Sequence, residues 1–397
     1  MTGDALADLA SRIGRLADEL AESGDLESPH WREALLAVPR HMFIPDIAYA
    51  DPNDPSASNQ YPVNRKADPQ TWWRAVYTDT VLVTQLDDGA GDLATGDGTA
   101  TSSNSAPGAV FSLLEHLWVQ DHQRVLEIGT GTGWTAGLLS HRVGAHNVTS
   151  IEIDPALAAR ARANLQAAGS RPNLVIGDGE DGFKEAAPFD RVHVTCGAET
   201  VPAAWVEQTR PGGVLVIPLT LGYGFGHLLR LTCCGDGTAT GRFPDDAGYM
   251  MLRSQRHLRG PASAFVYNES DADPSWTTLD PRSIIYESRG ADLTIAARVP
   301  GCQYRTEDTG DGTGSSVFWL FETRTRRGSW ASVTYQPGLR EFPVRQYGPR
   351  RLWDEVRGAY LWWLRAGRPE RDKFGMTYSP HGYDIWLGSP ERVISGR

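Results

Sequence analysis

The sequence predicts an α/β protein with a doubly wound, mostly parallel sheet, followed by a separate α+β domain. Three observations lead to this fold class. From Arg124 onward, short apolar runs alternate with helix-compatible segments, and this β-α-β-α order predicts parallel strands covered by helices. A turn with three glycines follows the first of these strands. After residue 246, strand-like runs are separated by glycine-rich turns instead.

The alternating segment is predicted to hold strands at 124–129, 148–153, 173–177, 190–195 and 213–219, with helices at 134–143, 155–168 and 202–209. Two later apolar runs, His227–Cys233 and Thr238–Phe243, are predicted as antiparallel strands that close the sheet edge.

Upstream, apolar residues recur at helical spacing over 4–22 and predict an amphipathic helix. The remaining upstream predictions are a helix at Trp31–Val38, an irregular segment at 51–70, a strand at Val76–Leu86, a loop at 87–99, a serine-rich loop at Thr99–Pro107 and a helix at Gly108–Val119.

Downstream, strands are predicted at Ala291–Val299, Ser316–Glu322 and Trp330–Tyr335, with a last strand at Gly382–Leu387. A helix at Arg350–Arg365 would turn one apolar face inward, formed by Leu352, Val356, Tyr360 and Trp363. Three segments are therefore expected: an N-terminal helical and substrate-loop segment (1–110), a cofactor-binding core (111–245) and a C-terminal α+β accessory domain (246–397).

Composition bounds the function. A net charge of −11 disfavours a general nucleic-acid binder. No apolar run approaches 18 residues, and the N-terminus carries acids where a signal peptide needs positive charge, so we expect a cytoplasmic protein without a membrane segment. The four cysteines lack metal-ligand spacing, which indicates reduced thiols and no metal site.

The glycine turn indicates the cofactor. Gly129, Gly131 and Gly133 stand between a strand and a helix, where backbone can approach an anionic or ribose-bearing ligand. A dinucleotide fingerprint would need its third glycine at position 134, which is Trp134. The alternatives are an ordinary glycine-rich turn and, more weakly, a dehydrogenase.

Two acids narrow the choice. Glu127 precedes the glycines and would repel a pyrophosphate, whereas a ligand with an ammonium group tolerates it. Glu152, at the end of the second strand, is placed to accept hydrogen bonds from ribose hydroxyls. S-adenosylmethionine (SAM) has both an ammonium group and a ribose, so the sequence predicts a SAM site.

Six motifs in order resemble the protein-L-isoaspartate O-methyltransferase (PCMT) family over about residues 25–220. They are V-P-R-H-M-F-I-P (Val38–Pro45), A-Y-A-D (Ala48–Asp51), V-L-E-I-G-T-G-T-G-W (Val125–Trp134), G-D-G (Gly177–Gly179), F-D-R-V-H-V-T (Phe189–Thr195) and G-G-V-L-V-I-P (Gly212–Pro218). The chain looks even more like the longer actinobacterial branch that methylates aspartate in ribosomally made peptides such as lanthipeptides. Three features indicate that branch: the segment Y-T-D-T-V-L-V-T-Q-L-D-D-G, the serine-rich T-S-S-N-S-A-P and an extension with W-W…F-G-M-T…I-W.

The resemblance implies a class I SAM-dependent methyltransferase fold, Rossmann-like, with an N-terminal helical and hairpin segment. It places Glu127 and the glycines at the methionine end of the cofactor, Glu152 at the ribose, and Asp178 and Gly179 at the adenine. The full cofactor-binding set is Glu127, Gly129, Thr130, Gly131, Gly133, Trp134, Glu152, Ile153, Asp178, Gly179 and Thr195. The family's S-Q-P corresponds to Ser105-Ala106-Pro107, and this departure favours a different substrate.

A carboxylate acceptor is already an anion at pH 7, because its unperturbed pKa is near 4. The protein therefore needs no general base and has to position the acceptor and exclude water. Hydroxyl groups suit that task, and Thr101, Ser102, Ser103 and Ser105 are the candidates, Ser105 first. Capping of the helix near Pro107 is the alternative role for one of the residues in Thr101–Ser105. Asp79 is a further candidate, although a solvated turn aspartate is an equal interpretation.

The predicted function is methylation of an aspartate side chain in a ribosomally made, lanthipeptide-like peptide, leading to an aspartimide (succinimide) and to isoaspartate on hydrolysis. The alternative is repair methylation of isoaspartyl residues in damaged proteins. A non-catalytic SAM-binding scaffold is a third interpretation. The partner would be a peptide or protein carrying Asp or isoAsp, the enzyme a monomer, and the product of the cofactor S-adenosylhomocysteine (SAH). In the C-terminal domain, Trp353, Trp362, Trp363, Arg350 and Arg351 would recognise peptide or form the core.

Overall fold

The computed structural model describes residues 3–52, 60–258 and 260–396. The chain forms two compact units. Unit 1 comprises Met1–Cys196, Pro202–Ile217 and Thr232–Gly237. Unit 2 comprises Gly197–Val201, Pro218–Leu231 and Thr238–Arg397. The division of the sequence into three functional segments stays a prediction.

Before residue 246 the helices agree closely with the predicted ones, except for α3 (Pro69–Val76), which was not predicted. They are α1 (Gly3–Ser23), α2 (Pro29–Ala37), α3 (Pro69–Val76), α4 (Pro107–Leu117), α5 (Trp134–Val143), α6 (Pro155–Ala167), α7 (Ala203–Glu207), α8 (Pro281–Tyr286), α9 (Arg289–Arg298) and α10 (Leu352–Arg365).

The strands of the first 246 residues are β1 (Ile47–Pro52), β2 (Tyr61–Asn64), β3 (Thr80–Leu86), β4 (Ala100–Asn104), β5 (Val125–Ile128), β6 (Val148–Glu152), β7 (Asn173–Ile176), β8 (Phe189–Val194), β9 (Thr209–Leu219), β10 (His227–Cys233) and β11 (Ala239–Asp246). The later strands are β12 (Asp273–Thr277), β13 (Cys302–Asp308), β14 (Ser316–Glu322), β15 (Trp330–Tyr335), β16 (Phe342–Tyr347), β17 (Phe374–Ser379), β18 (Gly382–Leu387) and β19 (Val393–Gly396).

Unit 1 contains the predicted parallel sheet, in the strand order β9-β8-β5-β6-β7. Every residue of β5 is buried, and β5 pairs in parallel with β6 on one side and β8 on the other. The chain passes from β5 to β6 and β7 on one side of β5, and then returns to β8 on the other side, so the direction of strand addition reverses at β5. Ligands of such sheets bind where the carboxyl ends of the strands meet at this switch point. The fold therefore directs attention to the residues that follow β5, β6 and β8.

A smaller antiparallel sheet in unit 1, in the order β2-β1-β3-β4, corrects three predictions. The serine-rich segment predicted as a loop forms strand β4, which pairs with β3. Part of the segment predicted as irregular forms β2, and residues 53–59 of that segment lie outside the described residues. Val76 ends helix α3 and does not begin a strand. The sequence of β4 is polar and has no apolar alternation, so only its pairing with β3 identifies it.

Unit 2 contains a five-stranded antiparallel sheet, β12-β16-β15-β14-β13, and the neighbouring strands β19-β18-β17-β11-β10. The predicted strands β10, β11, β14, β15 and β18 are confirmed. The prediction that β10 and β11 close the sheet edge is wrong, because β11 pairs with β17, and β19 rather than β18 is the last strand. The apolar face of α10 is confirmed, since Leu352, Val356, Tyr360 and Trp363 are all buried.

The predicted strand at Ala291–Val299 is wrong, because these residues lie in helix α9. The Ser288 side chain accepts hydrogen bonds from the amides of Gly290 and Ala291 and so caps the helix. All residues of 290–297 are buried. A helix buried on every side has no apolar period, and a short apolar run cannot then be distinguished from a strand.

Candidate active site

The turn after β5 exposes bare backbone at the carboxyl end of the sheet. Gly129, Gly131 and Gly133 have φ angles of +96°, +55° and +91°, a region that favours glycine. The amides of Gly129 and Thr130 donate to the Ile151 carbonyl at 2.9 and 3.1 Å, which ties the turn to β6. A Cβ added at Gly129 would lie 2.9 Å from Thr195 Oγ1, so a side chain has no room there.

Glu127 lies fully buried beneath this turn. The Ser150 hydroxyl donates a hydrogen bond to its Oε2, whereas Oε1 is buried with no hydrogen-bond partner among the described residues. Burial raises the pKa of Glu127 to about 8, although the Ser150 hydrogen bond opposes the shift. A buried carboxylate oxygen without a partner is a fit for a ligand ammonium group, which would supply both the missing hydrogen bond and the opposite charge.

Glu152 ends β6 beside the same turn. Its Oε2 accepts from the Gly131 amide at 2.8 Å and its Oε1 from the Asp154 amide at 3.0 Å. Asp154 then caps α6 by accepting from the amides of Ala156 and Leu157. The Glu152 carboxylate is thus fixed at the strand end, where a carboxylate can accept hydrogen bonds from the two hydroxyls of a ribose.

Thr195, directly after β8, lies beside the glycine turn. The Thr195 hydroxyl donates to the Ile128 and Gly129 carbonyls at 3.0 and 2.5 Å. Burial, and then the carboxylates of Glu152, Asp178 and Glu127, raise the pKa of the neighbouring Cys196 thiol well above its ordinary value. The carboxylates of three predicted acids, from β5, β6 and the loop after β7, therefore lie close enough to act on one thiol.

Three further residues predicted to bind the cofactor, Asp178, Gly179 and Ile153, make different contacts. Asp178 accepts from the Glu180 amide, and the Gly179 carbonyl accepts from the Trp205 indole at 2.7 Å. Ile153 is half-buried directly after β6.

Thr130 and Trp134 turn their side chains away from the turn. The Thr130 hydroxyl lies 2.5 Å from Ser150 Oγ. The buried Trp134 indole donates to the Val38 carbonyl at 3.1 Å. At Trp134 the indole is therefore part of the core, and a bound cofactor would meet only its backbone.

The predicted acceptor-positioning residues lie on β4 and its end. Thr101, Ser103 and Ser105 are partly exposed and alternate with buried Ser102 and Asn104, as expected for a strand with one covered face. The strand passes the glycine turn, since a Cβ added at Gly131 would lie 3.5 Å from the Ser103 carbonyl and 3.9 Å from Ser102 Oγ. The structure thus brings β4 and the glycine turn together.

Asp79 has a structural contact at the start of α4. Its Oδ1 accepts from the Gly108 amide at 2.7 Å. The residue before the helix, Ala106, has no side-chain capping hydrogen bond, so the predicted capping of α4 by a residue of Thr101–Ser105 is wrong. The catalytic role of Asp79 remains a prediction, and the contact observed is a helix cap supplied from another part of the chain.

Several residues of the site are absent from the sequence-based set. Arg40 is fully buried, and the five N–H groups of its guanidinium contact six acceptor oxygens, among them Asn104 Oδ1, which accepts from Nε at 2.7 Å. Desolvation lowers its pKa to about 9, although the nearby Asp79 carboxylate opposes the shift. The only sequence signal is an arginine between apolar residues in V-P-R-H-M-F-I-P. Asn104, Thr132, Gln85 and Ser150 were likewise not predicted, because their partners are distant in sequence.

Comparison with known proteins assigns the family. Residues 63–241 match the family profile described as Protein-L-isoaspartate(D-aspartate) O-methyltransferase (PCMT). A protein-L-isoaspartate O-methyltransferase of Pyrococcus abyssi is 34% identical over 215 residues, which cover 53% of this chain and 81% of the relative. The chain belongs to the PCMT family. Protein-L-isoaspartate O-methyltransferase 2 of Archaeoglobus fulgidus is 33% identical over 207 residues, covering 52% of this chain and 77% of the relative.

A solved structure of a protein-L-isoaspartate O-methyltransferase shares the fold over 95% of this chain and all of that chain, with a TM-score of 0.52 and 20% identity. The chain is therefore a SAM-dependent O-methyltransferase of class I fold with an additional C-terminal β-rich domain, as the PCMT resemblance implied. Within the described residues, no helix is long and apolar enough to cross a membrane, and no cluster of metal-ligating side chains occurs.

Proposed function

We propose that this PCMT family member methylates the free α-carboxylate of an isoaspartyl residue in a protein or peptide, whose side-chain carboxyl group is part of the peptide bond. The observation that supports the proposal is the approach of hydroxyl-bearing strand β4 to the glycine turn at Gly131. When bound, SAM supplies a methyl group on a positively charged sulfur. The acceptor carboxylate oxygen forms the new C–O bond as the C–S bond breaks, the electron pair stays on sulfur, and no proton is transferred.

The residues of the chain then have positioning roles. Glu127 Oε1 would hold the ammonium group and Glu152 the ribose hydroxyls, while the glycines keep side chains out of the turn. Ser103 and Ser105 would orient the acceptor carboxylate by donating hydrogen bonds, whereas the Thr101 hydroxyl donates to Gln85 Oε1 and would act by fixing the strand. A neutral hydroxyl orients an anion without neutralising its charge, so the carboxylate keeps its nucleophilicity.

A second candidate function is methylation of aspartate in a ribosomally made, conformationally constrained peptide, with the ester then attacked by the following backbone amide. That attack forms the succinimide C–N bond and expels methanol. The supporting observation is Ala106, which stands where the family motif has glutamine and is only 2% exposed. This position therefore has no side chain that could contact an isoaspartyl backbone.

Methyl transfer from labelled SAM separates the candidates. Three substrates are compared: a short unmodified isoaspartyl peptide, the same peptide with aspartate, and a cyclised precursor peptide containing aspartate. Base-labile label on the isoaspartyl peptide alone supports the first candidate. Label on the cyclised peptide alone supports the second, and no label on any of the three contradicts both.

The hydroxyl roles have their own test. Ser105→Ala is expected to lower kcat by roughly ten- to hundredfold, because a misoriented acceptor loses much of the advantage of proximity. SAH affinity should stay at the wild-type value. Ser103→Ala and Thr101→Val provide matched comparisons on the same face of β4, and equal kcat for Ser105→Ala and wild type would remove Ser105 from the site.

A further inference from the structure

Strand β4 is connected to the turn after β5 by a buried hydrogen-bond bridge. Asn104 Nδ2 donates to Thr132 Oγ1 at 2.9 Å, and both residues are buried, with 3% and 8% exposure. Thr132 lies between Gly131 and Gly133 in the glycine turn. The Arg40 guanidinium holds the amide group of Asn104 in orientation by donating to its Oδ1. This first bridge fixes one end of β4.

A second bridge connects the other end of β4 to the loop after β6. The Thr101 hydroxyl donates to Gln85 Oε1 at 3.0 Å, and Gln85 Nε2 donates to Asp154 Oδ2 at 3.1 Å. Gln85 and Asp154 are both buried. Asp154 in turn donates its backbone amide to Glu152. The chain of contacts therefore runs from an acceptor-side hydroxyl to the acid at the end of β6.

We propose that Asn104–Thr132 and Gln85–Asp154 are positioning bridges that fix the acceptor strand against both cofactor loops at once. The inference rests on the proposed methyl transfer and assigns new residues to it. Side-chain amides suit this role, because each donates through nitrogen and accepts through oxygen, so one residue can connect two elements. Two connections at opposite ends of a five-residue strand restrict its translation and its rotation, which one connection would not.

In-line transfer makes such fixation valuable. An acceptor displaced by about 1 Å can lose about a hundredfold in rate. The two bridges contact the strand and the loops through side chains, and the turn that would hold the cofactor keeps its own hydrogen bonds to Ile151. Loss of a bridge should therefore affect the acceptor and leave the cofactor in place.

The first bridge is tested with Thr132→Val, which replaces the hydroxyl by a methyl group of similar size, and Thr132→Ser, which keeps the hydroxyl. For Thr132→Val we expect kcat/KM for the peptide that wild type methylates to fall about ten- to hundredfold, with the SAH Kd within about twofold. Thr132→Ser should restore most of the activity. Thr149→Val is the matched control, since Thr149 is a buried threonine on β6 whose hydroxyl accepts a long hydrogen bond of 3.4 Å from Asn173 Nδ2.

The second bridge is tested with Gln85→Met, which keeps the side-chain length without hydrogen bonds. As for Thr132→Val, we expect kcat/KM for the peptide to fall and the SAH Kd to stay close to the wild-type value. The double variant Thr132→Val/Gln85→Met should lose more activity than either single variant.

Amide hydrogen exchange provides a readout that is independent of activity. In Thr132→Val and Gln85→Met the amides of Ser102–Asn104 should exchange faster than in wild type, with β6 unchanged. Wild-type exchange in β4 together with wild-type kcat/KM would overturn the inference. A parallel loss of SAH affinity would overturn it too, since the bridges would then hold the cofactor. Absence of methyl transfer by wild type would instead contradict the proposed function, and exchange would still decide on the bridges.

Discussion

The Ser150 hydroxyl donates a hydrogen bond to Oε2 of Glu127, while Oε1 of the same carboxyl group has no partner within the described part of the chain. Burying a carboxylate with one oxygen unsatisfied is costly, and its raised pKa expresses that cost. A ligand cation that donates a hydrogen bond to Oε1 would remove this energetic cost. We therefore expect Glu127, held by Ser150, to bind a positively charged group of a ligand.

Glu127→Gln should weaken SAH binding by about 10- to 100-fold, because the ammonium group loses its negatively charged partner and meets a neutral amide instead; hydrogen bonds to charged groups contribute about 1.5–3 kcal/mol. Isothermal titration with SAH measures the change. Glu22→Gln, an exposed substitution in α1, is the control and should bind as wild type does. Equal affinities for Glu127→Gln and wild type would remove Glu127 from the cofactor site.

SAH affinity should increase with pH up to about pH 8. Below the raised pKa of about 8, Glu127 is largely protonated in the free protein, and binding of an ammonium group requires its loss of a proton. Binding near pH 7 should therefore release protons, and the dependence should level off above pH 8. Titration at pH 6, 7 and 8 in buffers of different ionisation enthalpy tests this. In Glu127→Gln the affinity should be nearly independent of pH over the same range.

Gly129→Ala should abolish detectable cofactor binding. The residue has a φ of +96°, and the new Cβ would lie 2.9 Å from Thr195 Oγ1. Gly169→Ala is the matched control, because Gly169 has a φ of +77° but nothing within 4 Å of an added Cβ. Both variants carry backbone strain, of about 1 kcal/mol, and only the first blocks the site. Retention of SAH binding by Gly129→Ala would contradict this prediction and show that the turn or Thr195 can shift to accommodate a methyl group.

The part of the site that the sequence predicted is the part that is local in sequence. Glu127, the three glycines and Glu152 lie within one β-α-β unit, and their spacing alone places them at neighbouring strand ends. Strand β4 was not predicted, since its polar residues become a strand only by pairing with β3. In unit 2, α9 has no apolar period because all of its sides are buried.

The long-range contacts were beyond prediction for a related reason. Arg40 and Asn104 are 64 residues apart, and Gln85 and Asp154 are 69 apart. No pattern in either segment states that the two will meet. Two tryptophans of α10 show the same limit. Trp353 and Trp363 are 2% and 1% exposed and belong to the core, whereas the sequence was compatible with either core packing or peptide recognition.

Loss of the buried Arg40 side chain should strongly destabilise unit 1. Its guanidinium donates to the carbonyls of Val76, Thr80 and Ser105 and to both oxygens of Asn104. Arg40→Met would leave these buried acceptors without donors, and we expect the free energy of unfolding to fall by about 3–5 kcal/mol. Arg40→Lys should recover only part of the loss, because an ammonium group has three donors in a compact arrangement and no planar fork.

The matched control for Arg40 is Arg32→Met. Arg32 pairs with Asp18 at 2.6 Å on the surface, and an exposed pair of this kind contributes at most about 1 kcal/mol. Urea unfolding of both variants, followed by tryptophan fluorescence, gives the comparison. If Arg40→Met unfolds at the same urea concentration as Arg32→Met, backbone carbonyls at the end of β4 must obtain their hydrogen bonds elsewhere, and the orientation of Asn104 would then not depend on Arg40.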